Sequence, residues 1–135
     1  MLIGGELKDL PPPRDVAAAK LCVPVVQGCP NAPAQIGAVV LKKPFEKMKP
    51  YDFKDLGAVL GTAVVPKWGQ VGPAKYFRLD ITRHLKRVAA GQDKFHGLAV
   101  MIIPNRSIDD GWTVRVDITK EKPTYVELDV YTAKK

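Results

Sequence analysis

Few side chains in this sequence have the type and spacing that bond-breaking chemistry requires. Histidine occurs twice, as His84 and His96. His84 lies among Arg83, Lys86 and Arg87, whose positive field lowers an imidazole pKa and disfavours its charging. It reads as an exposed helix position, and His96 reads as the start of a strand. Neither belongs to a nucleophile motif such as G-x-S-x-G. The carboxylate pairs Asp109-Asp110 and Asp117-Glu121 lack the companion that would mark a glycosidase, in which two carboxylates flank a cleft at a set separation. The expectation is therefore a protein without catalytic residues. Asp109 and Asp110, ahead of Gly111, could lend oxygen ligands to a structural calcium ion. Their spacing is not that of an EF-hand loop, and Asp-Gly is also simply a good turn. No other cofactor is implied.

Binding chemistry has better candidates. Trp68 sits in PKWGQVGP, between glycines and prolines, and hence in a loop. An exposed indole offers a flat apolar face for a sugar ring, with Lys67, Gln70 and Lys75 nearby as hydrogen-bond donors. Tyr51 is a second aromatic of this kind. The alternative for Trp68 is a plug at the end of the core, since large aromatics bury much surface. Charge adds to the picture. The chain of 135 residues carries a formal net charge of +7. Residues 1–41 hold three basic and three acidic residues, residues 95–135 hold six of each, and residues 42–94 hold twelve basic and five acidic. An excess confined to the middle of the chain favours an anionic partner, although a solvated lysine-rich surface has the same composition. No RNP, helix-turn-helix or zinc-finger pattern supports nucleic acid as that partner.

Cys22 and Cys29 stand in LCVPVVQGC. The spacing is not C-x-x-C and the histidines are remote, which argues against zinc. A disulfide between them is open if the protein is extracellular; burial as two small apolar residues is the other reading.

The elements that must position these residues are strands. Alternation with period two marks half-buried strands. It appears in YFRLDIT, WTVRVDIT and YVELDVYT, and less regularly in AAAKLCVPVV, QIGAVVLKK and GAVLGTAVV. Pro24, inside the first of the irregular segments, suggests an edge strand or a bulge. KKPFEKMKPYDFKD reads as an extended loop. Trp112 shares parity with Val114 and Val116 and is assigned to the core, whereas Tyr125 and Tyr131 fall on the wet side of the last strand, as a binding face or a contact with another subunit. One short helix is expected at about residues 83–90, capped by the Thr82 hydroxyl, docked through Leu85 and Val88, and stopped by Gly91 in a left-handed conformation. FHGLAVMIIP is apolar on both faces, as central strands are. Ala99, Met101 and Ile103 then form a second face, covered either by the helix or long loop or by another subunit. About eight strands result, which suits a two-layer antiparallel jelly-roll β-sandwich in a single domain over residues 1–135.

No apolar run reaches the roughly 18 residues of a membrane span. The start, MLIGGELKDL, lacks the basic and long apolar stretches of a signal peptide.

The order of motifs resembles a known family. A strand ending Asp80-Ile81-Thr82 leads into a short helix and then Phe95-His96-Gly97-Leu98. A polar turn follows at Ser107-Ile108-Asp109-Asp110-Gly111, and then a proline-led last strand from Pro123 to Tyr131. With Leu7-Lys8-Asp9-Leu10-Pro11 and Val16 to Leu21 ahead of them, these motifs resemble the DNRLRE-type jelly-roll modules of secreted and surface proteins. They are also similar to the sandwich of transforming-growth-factor propeptides. The resemblance spans about residues 5–132 and rests on short, fold-determining motifs. It implies an extracellular or cell-surface module that binds carbohydrate, or a structural part of a surface assembly in which copies of the chain are the partners. Strands that such modules place ahead of the Leu-Pro segment have little counterpart here, so a neighbouring chain could supply one.

Overall fold

The computed structural model describes residues 2–3, 10–29, 32–44, 53–66, 70–103, 115–116 and 124–130. Eight strands are arranged as β1 (Leu2–Ile3), β2 (Val16–Gln27), β3 (Ala34–Leu41), β4 (Leu56–Val65), β5 (Gln70–Asp80), β6 (Leu98–Ile102), β7 (Arg115–Val116) and β8 (Tyr125–Val130). One helix, α1 (Thr82–Ala89), joins β5 to β6. All pairings are antiparallel. The first sheet runs β1-β6-β3-β4. In the second, β2 lies between β5 on one side and β7 and β8 on the other.

The connectivity is that of a jelly roll. There the eight strands are shared so that one sheet reads second-seventh-fourth-fifth and the other first-eighth-third-sixth. With β1 in second place, the first sheet fills its four positions. β7 and β8 lie end to end along β2, opposite Gln27 to Val25 and Cys22 to Val16 respectively, and together act as the eighth strand. Among the described residues, the place of the first strand, beside β8, is empty.

The core follows from parity. Ala19, Leu21, Val23 and Val25 of β2 point inward with Ile36 and Ala38 of β3, Val65 of β4, Leu79 of β5 and Leu98 and Val100 of β6. Burying such side chains contributes about 1.5–3 kcal/mol each. Leu85 carries α1 into this core, and Val88 is half-buried. Gly91 follows the helix at φ 75° and gives the left-handed stop.

Three local expectations are corrected. Pro24 lies in a central strand, where it pairs with Tyr76 of β5. On the other side of β2, no described residue pairs with Pro24: pairing with β8 ends at Cys22 and pairing with β7 begins at Val25, and the register shifts between Val25 and Gln27, so the irregularity expected of the proline is present one residue further on while the edge position is not. Thr82 is not the N-cap. Ile81 takes that place without a side-chain cap, and the first helical amide, that of Thr82, donates to Asp80 Oδ1 at 2.9 Å. His84 is 3% exposed rather than open to solvent, because the helix turns this position toward the sandwich together with Leu85.

Candidate functional site

The two sheets meet most closely where β4 passes β5. A Cβ at Gly61 would overlap the backbone of Asp80, so glycine is needed for the approach. Directly after Asp80 the chain turns into α1. The helix therefore runs past the β4 flank and presents Arg83, Lys86 and Arg87 there. Two adjoining grooves of about 450 Å³ each result, with Leu60 and Arg83 lining both. One is walled by Asp80, Thr82 and Lys86. The other is walled by Lys42, Gly57, His84, Arg87 and Asp93. Lys42 is placed by its amide, which donates to the Asp55 carbonyl at 2.8 Å and closes the base of the β3–β4 connection. Lys43 meets the Asp55 carboxylate at 2.8 Å.

The acidic residues of this region are already engaged. Asp80 Oδ1 accepts from the Thr82 hydroxyl at 2.6 Å and from the Thr82 amide, which together hold its pKa below the usual carboxylate value. Asp93 Oδ2 accepts from Arg87 Nε at 2.7 Å, and that bond lowers the Asp93 pKa likewise. Lys42, Arg83 and Lys86 form no ion pair among the described residues. The lining sets four cations, Lys42, Arg83, Lys86 and Arg87, against the two carboxylates of Asp80 and Asp93, and so carries a net positive charge.

His84 also lines the second groove and is held toward its neutral form. Burial is the main cause that pushes its pKa down, with Arg87 and His96 acting the same way and Asp93 opposing. Its Nδ1 stands 4.0 Å from Asp93 Oδ2. Its Nε2 is buried without a hydrogen-bond partner, and so is shielded from anything in the groove. The ring packs near Phe95, with centroids 6.1 Å apart. His96 does not begin a strand; it lies half-buried in the connection before β6.

The other candidates separate. Lys75 is exposed on β5, and its Nζ lies 5.6 Å from the centre of the Phe77 ring. Gln70 begins β5. Trp68, Lys67, Tyr51, Tyr131, Asp109, Asp110, Trp112, Asp117 and Glu121 lie outside the described residues. Ala99 is 4% exposed within the single chain, and Met101 and Ile103 are half-buried. These three pack with Val39, Leu41 and Leu56 into a second apolar cluster on the outer face of the first sheet. Tyr125 is 40% exposed, makes an edge-on contact with Tyr76 at 5.2 Å, and stands across the ladder from Cys22.

The cysteines are free and buried, which corrects the disulfide option. β2 is extended from Cys22 to Gln27, about 15 Å at the usual rise per residue. The two further residues to Cys29 cannot bring the α-carbons within the roughly 7 Å that a disulfide allows. Among the described residues, no group of three or more histidine, cysteine or acidic side chains is placed to hold a metal ion. No described helix is long and apolar enough to cross a membrane.

Sequence reasoning found the basic segment but not the groove. Lys42 and the helix cations are some forty positions apart, and nothing in the local pattern announces that Gly61 brings β4 against the start of α1. No known family, curated protein or solved structure matches this chain.

Proposed function

We propose that the protein is a non-catalytic extracellular or cell-surface jelly-roll module that binds an anionic polysaccharide along the grooves between α1 and β4. One observation carries this reading: Lys42, Arg83, Lys86 and Arg87 line two adjoining grooves that share Arg83, with two carboxylates, Asp80 and Asp93, against them. A trough lined by cations suits a polymer bearing a carboxylate or sulfate on each sugar. Guanidinium groups match such oxyanions in a two-pronged geometry. Trp68 and Tyr51 remain candidates for stacking on the sugar rings.

Calorimetric titration with a polyuronate, a sulfated dextran and neutral dextran tests the reading. Binding of at least one acidic polymer, none of the neutral one, and a steep loss as salt is raised are expected. The double variant Arg83→Ala, Lys86→Ala should weaken binding at least tenfold, while Arg14→Ala, exposed ahead of β2 and outside both grooves, leaves it within about twofold,. Equal binding of the neutral polymer, equal binding of duplex DNA, or an unaffected double variant would overturn the assignment.

A second reading, a structural subunit of a self-assembling surface or filament protein, is favoured by the large apolar side chains that β8 exposes, Tyr125 at 40% and Val130 at 47%.

A further inference from the structure

Asp93 is an acidic residue in the wall of a groove whose other charged residues, Lys42, Arg83 and Arg87, are basic. Its place there is fixed by the chain reversal that ends α1. Gly91 takes φ 75°, and the amides of Gln92 and Asp93 both donate to the Arg87 carbonyl, at 2.9 and 3.3 Å. The reversal returns the Asp93 side chain to the helix it has just left, where Oδ2 accepts from Arg87 Nε at 2.7 Å.

The same oxygen stands 4.0 Å from Nδ1 of His84. His84 lies three residues before Arg87, and residues at that spacing share a helix face. A lone pair on Nδ1 would face the carboxylate, which favours the tautomer with the proton on that nitrogen. One carboxylate oxygen is thus flanked by two nitrogen donors, the nearer of which it binds. His84 is buried, but the Arg87 and Asp93 side chains are 52% and 39% exposed, so solutes reach the pair.

A carboxylate oxygen on a guanidinium is the contact that a sulfate ester or a uronate carboxylate would itself make. In this groove the chain supplies it from within. Exposed ion pairs of this kind shift an equilibrium by roughly fivefold or less, enough to weaken a competing anion and too little to exclude it.

We infer that Arg87 and His84 Nδ1 form an oxyanion subsite of the second groove, and that Asp93 occupies it in the free protein as an internal competitor. This rests on the anionic-ligand function proposed above and adds a control on its affinity. A free sulfate ion must displace Asp93 through a single contact. A polymer also meets Lys42, Arg83 and Lys86, and those contacts raise its effective concentration at Arg87.

The test uses the intact chain at constant ionic strength, with inorganic sulfate as the probe and the Arg87 Nε–H and His84 imidazole resonances as readouts. Asp93→Asn keeps the size of the side chain and removes its charge. It should tighten sulfate binding by about threefold to fivefold. Adding Arg87→Ala to Asp93→Asn should cancel that gain. Asp129→Asn, which removes one negative charge from β8 outside both grooves, should leave sulfate affinity unchanged. Equal affinity in the parent and Asp93→Asn, a gain that survives Arg87→Ala, or the same gain from Asp129→Asn would overturn the inference, whether or not polymers bind. Tightening of sulfate as stated, with no acidic polymer bound by either protein, would refute the polysaccharide function and leave the subsite standing.

Discussion

Gly61 of β4 lies against the backbone of Asp80 at the end of β5, close enough that a Cβ would overlap the Asp80 amide nitrogen and carbonyl oxygen. This contact ties the two sheets at the flank where the helix starts. Because the obstructing atoms are backbone, no side chain can swing aside to admit a larger residue. Gly61→Ala should destabilise the fold by about 1–3 kcal/mol through overpacking, read as a lower urea midpoint with unchanged slope. A midpoint equal to the parent's would mean that β4 and β5 are not so closely apposed.

Thr82 binds three chain segments together. Its Oγ1 accepts from the Ala19 amide of β2 at 2.9 Å and donates to Asp80 at 2.6 Å, while its own amide is held by the same carboxylate. Thr82→Val keeps the shape and removes the oxygen. It should cost about 1–3 kcal/mol, since the part-buried Ala19 amide loses its acceptor, and thermal unfolding would record the loss. Thr82→Ser should retain most of the stability.

Much of this architecture was legible, and the failures have physical causes. The alternation of Ala19, Leu21, Val23 and Val25 gave β2 and its buried face, because side-chain parity in a strand is local. The run Leu98 to Ile102 was readable as a strand covered on both faces, and it lies between β1 and β3. Gly91 marked the helix stop correctly, since a left-handed residue is a one-position requirement. What local pattern could not convey was long-range placement. His84 looked exposed because its neighbours in sequence are charged; its burial depends on where the helix docks. Pro24 looked like an edge or bulge residue because the strands that flank β2 come from positions some fifty to a hundred residues away, and only the register shift between Val25 and Gln27 is local. The groove itself needs Gly61 in the middle of β4, Asp80 at the end of β5 and Lys42 just past β3 brought together, and no periodicity carries that information.

Both thiols should be silent in the native protein. Cys22 and Cys29 are buried and free, and burial raises the Cys22 pKa, so little thiolate is available for attack,. A chromogenic disulfide reagent should therefore titrate about two thiols per chain in denaturant and react at least tenfold more slowly without it. Reducing agent should leave the melting temperature unchanged. A melting temperature that falls on reduction would reveal a bridge and contradict the separation along β2.

Acid should weaken the fold through His84 before the carboxylates titrate. Burial lowers the folded-state pKa of this imidazole below its ordinary 6.5, with Arg87 and His96 adding to the shift and Asp93 opposing it. The unfolded chain then binds a proton that the folded chain refuses over the interval between the two values. Stability is consequently complete above the ordinary value and declines as the pH falls through 6.5 toward the folded value. Asp80 and Asp93 have lowered pKa values, so their contributions are lost at lower pH, below the usual carboxylate range. His84→Leu removes the titrating group while filling the space beside Phe95. Its melting temperature should change less than the parent's between pH 7.5 and pH 5.5, and differential scanning calorimetry at those two values reads the difference directly. Parallel pH dependence in the two proteins would show that the imidazole is solvated after all.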